Sequence, residues 1–225
     1  MKKGDKIAIV SPAGHIYPEK VAGAVTVLYN QGWQPQVMPH ALGVSGIYSG
    51  TADERFSDLE AAFADPDVRA ILCSRGGYGV VHIMDRLSRL DLAADPKWVI
   101  GFSDISALHA LMASKGVASI HSPMAGQIML GTDDPDTADL FRILRGERPA
   151  YTFPAHEYDR QGIAEGKLIG GNVAVLADLI DTPYDVFEPG TILFIEDVAE
   201  PIYKIERILY QLKLNGVLGK LGGLV

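Results

Sequence analysis

Five short apolar runs, most of them trailed by a stretch of helical periodicity, constrain this chain more than any other feature. Residues 7–10 (Ile-Ala-Ile-Val) are mostly β-branched and end at Ser11-Pro12-Ala13-Gly14; the other runs are 36–38, 68–73, 98–101 and 118–120. Continuous apolar runs of this kind are buried on both faces, as the strands of parallel sheets are. Between them, Val21, Val25 and Leu28 recur at helical spacing over 18–32, and Asp53 and Glu54 sit in the first turn of a helix over 51–63. Val80, Val81, Met84 and Leu87 mark a third helix, and 104–115 a fourth. The alternation predicts an α/β unit with a Rossmann-like, mostly parallel sheet. Such sheets bind ligands beyond the carboxyl ends of their strands. Three loops fall there: Ser11-Pro12-Ala13-Gly14, Arg75-Gly76-Gly77-Tyr78-Gly79 and Gly101-Phe102-Ser103-Asp104.

A net charge of −8 over 225 residues argues against a nucleic-acid surface or an anionic membrane as partner. No apolar run approaches the ~20 residues that span a bilayer. Met1-Lys2-Lys3-Gly4-Asp5 lacks the shape of a signal peptide. The single cysteine, Cys73, leaves no internal disulfide and no thiolate cluster, which suits a reducing cytoplasm. The six histidines show no metal-ligand spacing.

Past Gly131 the pattern changes. Asp133-Asp134-Pro135-Asp136 caps a helix, and residues 148–161 read as a polar linker between an N-terminal domain (1–147) and a second, smaller, β-rich one (162–225). There 166–169 leads into Gly170-Gly171-Asn172, a helix follows over 173–180, and 191–195 is a buried strand ending at Glu196-Asp197. Pro201 suits the first position of a helix whose Ile202, Ile205, Leu209 and Leu212 share a face. Gly222-Gly223-Leu224-Val225 reads as the entry to another buried strand, so this domain is expected to be truncated.

Ser103 stands at a strand-to-helix corner. The position suits an N-cap, the ordinary role of serine there, and equally a nucleophile with helix N-terminal amides behind it. Its surroundings lack the second glycine of a G-x-S-x-G elbow. The Arg75–Gly79 loop lacks the spacing of a phosphate cradle; its glycines make either a tight turn or a close backbone approach to a substrate carbonyl. Glu196, after four apolar residues, is a half-buried acid that either caps the next helix or orients a base. His121, at a strand end, is the one local candidate for that base, while His82 and His109 read as ordinary helix residues.

Taken together, Ser74-Arg75-Gly76-Gly77-Tyr78-Gly79, Ile100-Gly101-Phe102-Ser103-Asp104-Ile105, Gly170-Gly171-Asn172 and Phe194-Ile195-Glu196-Asp197-Val198 resemble, in order and spacing, the LD-carboxypeptidases. These are the muramoyltetrapeptide carboxypeptidases of cell-wall recycling, and the resemblance runs from Lys6 to Val225. It implies a cytoplasmic Ser-Glu-His serine peptidase, commonly a homodimer, that uses no metal or nucleotide cofactor and releases terminal D-alanine from murein tetrapeptides. Ser103 matches the nucleophile, Glu196 the acid that orients the histidine, and the amides of Gly77 and Asp104 the oxyanion hole. Gly76 and Asn172 are expected to contact substrate. The family's histidine lies well downstream of the glutamate, and none of the six histidines matches it. Residues 1–225 alone are therefore expected to be inactive. Microcin-immunity peptidases, which act on aminoacyl-nucleotide conjugates, share these motifs and are the nearest alternative; a non-catalytic peptide-binding relative is another.

Overall fold

The computed structural model describes residues 1–160 and 162–225; the last residue of the expected linker, Gln161, lies outside them. In chain order the elements are β1 (Lys6–Val10), α1 (Pro18–Asn30), β2 (Gln34–Val37), α2 (Ala52–Ala64), β3 (Val68–Cys73), α3 (Met84–Leu87), β4 (Trp98–Gly101), α4 (Ser106–Ser114), β5 (Ile120–His121), α5 (Ala125–Ile128) and α6 (Pro135–Leu144). They are followed by β6 (Leu168–Asn172), α7 (Val173–Ala177), β7 (Ile192–Glu196), α8 (Ile202–Leu214), α9 (Val217–Lys220) and β8 (Gly223–Leu224). Residues 148–160 carry no helix or strand.

The first five strands form one parallel sheet in the order β2-β1-β3-β4-β5. The order reverses between β1 and β3, and the crevice at such a switch point is where doubly wound sheets bind ligands. Side chains alternate across the sheet as strand geometry requires. Ala8, Val10, Ile71, Cys73 and Val99 face a core shared with Leu59, Leu87 and Leu108 of α2, α3 and α4. Ile7, Ile9, Leu72 and Ile100 face Val21 and Leu28 of α1 and Phe141 of α6. Helices thus cover both faces, which explains why the strands read as unbroken apolar runs. Each fully buried Leu, Ile or Phe contributes about 1.5–3 kcal/mol of burial. Thr51 begins α2 through a capping box with Glu54, as the acids of that first turn foretold.

The C-terminal part is built on a second, smaller parallel sheet, β6-β7-β8, in which Asn172 of β6 stands opposite Glu196 of β7. Its helices are as prominent as its strands. Ile169, Leu179 and Val186 join the core on the α4 side, so the second sheet is seated against the helix that follows the Ser103 corner. Gly170 and Gly171 lie inside β6, where a Cβ on Gly170 would collide with the Phe194 carbonyl. Two local expectations differ. The helix expected from Val80 is a 3-10 turn (Val80–His82) followed by the four-residue α3. Pro201 is the cap of α8 rather than its first residue. Among the described residues, no helix is long and apolar enough to cross a membrane.

Candidate active site

β4 ends at a glycine for a steric reason: a Cβ on Gly101 would come within 2.9 Å of Ile105 and 3.2 Å of Cys73. The chain can therefore turn tightly there. Phe102 is extended, and Ser103 follows with φ +64°, in the left-handed region that L-residues with side chains avoid. A non-glycine residue held there costs roughly 1–3 kcal/mol, and such strain clusters at functional sites. A 3-10 turn, Ser103–Ile105, then leads into α4. The cap position is Phe102, and the Ser103 side chain makes no capping bond, so the N-cap role is excluded. Its hydroxyl has no protein hydrogen-bond partner among the described residues.

Facing it, the Arg75–Gly79 loop approaches so closely that a Cβ on Gly76 would lie 2.8 Å from Ser103 Cβ and 2.9 Å from its Oγ. Gly77 and Gly79 take φ values of +116° and +125°. The loop is anchored at its start by buried hydroxyls: Ser11 Oγ donates to the Ala41 carbonyl at 2.6 Å and lies 2.5 Å from Ser74 Oγ. Gly14 N–H donates to the Gly76 carbonyl at 3.1 Å. At the loop's far end Val80 N–H donates to the buried Asp104 carboxylate at 3.0 Å, and burial raises that carboxyl's pKa. The Gly77 N–H is spent on no other loop carbonyl. Asp104, second in its 3-10 turn, has an N–H with no intrahelical acceptor. Both amides expected to bind an oxyanion are thus left without an internal acceptor, one directly after Ser103 and one directly after the Gly76 that packs against it.

Arg55 of α2 is a residue that sequence reasoning missed. It is 3 % exposed, donates through Nη1 to the Pro12 and Gly79 carbonyls at 2.6 and 2.7 Å, and lies over the Tyr48 ring. An arginine in an amphipathic helix normally marks the solvated face, so nothing local signalled this one.

Glu196 ends β7, and burial, reinforced by neighbouring Asp197, raises its pKa. Its Oε1 is buried without a partner. Together with Asp197 and Glu200 it lines a cavity of about 260 Å³. The acid and the serine are linked indirectly. Asn172 N–H donates to Ser106 Oγ at 2.8 Å, one turn beyond Ser103, and Asn172 Nδ2 donates to Asp197 at 3.1 Å. The Asn172 Oδ1 caps α7 through Val175 N–H. Ser106 and Asp197, like Arg55, had not been singled out for these roles; the Gly170-Gly171-Asn172 motif was the only pointer to the joint.

No histidine among the described residues is hydrogen-bonded to Ser103 or Glu196. His121 ends β5 opposite Gly101, packed by the Phe102 and Phe194 rings. Its Nδ1 is buried without a partner, and burial pushes its pKa down to about 4. His109 is buried in α4, also near 4 because of burial. Its Nε2 is 2.8 Å from the Gly101 carbonyl and its Nδ1 2.8 Å from Ser119 Oγ. A neutral ring satisfies both by donating to the carbonyl and accepting from the serine.

Comparison with known proteins adds to this geometry. Residues 7–122 match the family described as LD-carboxypeptidase N-terminal domain, and residues 165–225 match the LD-carboxypeptidase C-terminal domain. The "Probable murein peptide carboxypeptidase" of Bacillus subtilis (strain 168) is 34% identical, over 100% of this chain and 72% of its own length. The "Murein tetrapeptide carboxypeptidase" of Pseudomonas aeruginosa is 34% identical, over 92% of this chain and 71% of its own. Among solved structures, the microcin C7 self immunity protein MccF superposes with a TM-score of 0.85 at 24% identity, over 100% of this chain and 77% of its own; that likeness is one of fold.

Proposed function

This chain belongs to the LD-carboxypeptidase family, and from that premise we propose that it is a serine-type peptidase releasing terminal D-alanine from murein tetrapeptides. One observation carries the assignment of the nucleophile: Ser103 is held in a left-handed conformation at a strand end, its side chain capping nothing, against Gly76 of the facing loop. The hydroxyl lies against that loop, 2.9 Å from where a Gly76 Cβ would stand.

In the proposed reaction Ser103 Oγ attacks the carbonyl that joins the L-centre of the third residue to D-alanine, and its proton passes to a histidine. The amides of Gly77 and Asp104 hold the oxyanion, each donor contributing about 10²–10³ in rate. The C–N bond then breaks, the histidine returns the proton to the departing amine, and water releases the acyl-enzyme. Glu196 orients that histidine; a buried carboxylate oxygen without a partner is the acceptor such a ring requires. His121 is a poor base, since a pKa near 4 and an enclosed Nδ1 leave it weakly basic. We assign the base to a histidine outside residues 1–225. Without it, turnover falls by about 10⁶. Gly76 and Asn172 border the substrate's path in this reading. The family also motivates our proposal of a cytoplasmic homodimer, which sedimentation and fractionation would check.

In the protein carrying that histidine, Ser103→Ala should abolish D-alanine release and fluorophosphonate labelling without loss of fold. Retained turnover excludes Ser103, and full activity of residues 1–225 alone excludes the external base. Absence of labelling in the unaltered protein would favour a non-catalytic binding relative. The fold shared with MccF makes an aminoacyl-nucleotide conjugate the second substrate to assay beside the tetrapeptide. The 34% identity to murein carboxypeptidases favours the tetrapeptide.

A further inference from the structure

A peptidase that removes one terminal residue must distinguish a chain end from a chain interior, and the chemical mark of that end is a carboxylate. We propose that Arg75 binds the C-terminal carboxylate of the substrate and so sets the exopeptidase specificity of the site; this rests on the tetrapeptide reading above. Arg75 is the exposed first residue of the loop whose next member, Gly76, faces Ser103. Its Nη1 is tied to the His15 carbonyl at 3.0 Å, which fixes the guanidinium while leaving Nε and Nη2 without a protein acceptor among the described residues. Nη2 is the atom turned toward the oxyanion loop: it lies 4.0 Å from where a Gly77 Cβ would stand. On the other side Gly14 makes the room, since a Cβ there would press to 3.3 Å from Arg75 Nε.

The distances suit the chemistry. With the scissile carbonyl against Gly77, the terminal carboxylate is a single residue further on, and one residue spans about 3.8 Å. A planar guanidinium offers two parallel N–H donors to a carboxylate, a match that neither lysine nor a neutral donor reproduces. The other arginine of this edge, Arg55, cannot serve, because it is buried and its Nη1 and Nη2 are taken by two carbonyls and His82. The chain's net charge of −8 disfavours an anionic ligand at large, so a local cation is needed to hold one.

Equilibrium binding tests this without requiring turnover. Residues 1–225 are titrated calorimetrically with the murein tetrapeptide as free acid and as C-terminal carboxamide. The unaltered chain should bind the acid about 10–100-fold more tightly, the range of a charge-assisted pair. Arg75→Gln should erase that preference with the carboxamide Kd unchanged, and Arg75→Lys should restore part of it; circular dichroism confirms that both variants fold. A preference that survives in Arg75→Gln, or equal binding of acid and amide by the unaltered chain, overturns the proposal. Binding of neither ligand overturns the tetrapeptide reading, and this inference with it.

Discussion

At the amino edge of the five-stranded sheet, Lys6 meets Asp65 at 2.8 Å and Arg69 meets Asp95 at 2.7 Å. Lys97, its side chain wholly buried, bonds Asp95 as well as the Asp65 and Val68 carbonyls at 2.7–2.9 Å. At the carboxyl edge, by contrast, Arg55 Nε, His121 Nδ1 and, on the second sheet, Glu196 Oε1 are buried without partners. Ser103 there adds backbone strain. Unsatisfied buried polar groups each cost about 1–3 kcal/mol. One end of the sheet is thus built for stability, and the other concentrates the costs that a reactive site tolerates.

The sharpest way to break this contrast is Lys97→Met. Removing the buried ammonium strands the Asp65 and Val68 carbonyls, while half-exposed Asp95 keeps Arg69, and should cost roughly 2–6 kcal/mol in urea unfolding, about 1–3 for each carbonyl, while leaving tetrapeptide affinity unchanged. A comparable loss of affinity would show that the two edges are not separable. The next effect concerns pH. His109 is neutral in the fold with a pKa near 4 against 6.5 unfolded, so its contribution is intact above 6.5 and is lost as pH falls from 6.5 to 4. The difference between the unaltered chain and His109→Gln should therefore change by up to about 3 kcal/mol across that window. At the amino edge the lowered carboxyls of Asp65 and Asp95 lose their contribution only below their ordinary value of 3.8. A flat difference curve between pH 4 and 6.5 would relocate the acid sensitivity. Smallest is Ser103→Gly: relief of the left-handed strain against glycine's greater unfolded entropy should leave the protein about 0.5 kcal/mol more stable. A net loss of stability would mean that Ser103 packs rather than strains.

What was legible in the sequence follows the same division. Val68–Cys73 and Trp98–Gly101 were read at their observed bounds, because a doubly buried strand must be apolar throughout. The Ser103 corner and its facing glycines were located, yet neither the sign of φ at Ser103 nor the collision that demands glycine at 76 is encoded in residue type alone. Arg55 and Ser106 were invisible for a stronger reason. Their roles depend on which carbonyl or amide arrives from a distant segment, Gly79 in one case and Asn172 in the other. Gly170 and Gly171 were singled out as part of a motif, but residue type does not say what approaches them; Phe194 and Ser106 supply the approach.

The Asn172–Ser106 bond has a mechanical consequence. It joins the second sheet to α4 one helical turn from Ser103, and Glu196 stands on the strand directly beside Asn172. Any swivel of the second sheet about that bond therefore has a short lever arm, about one inter-strand spacing of 4.8 Å. A rotation of about 10° would carry Glu196 only ~1 Å, an arc fixed by that same spacing. Lys167 Nζ on the Ala113 carbonyl and Tyr184 OH on Asp85 add two further ties to α4 and α3, so the acid and the serine are held at a nearly fixed relative position.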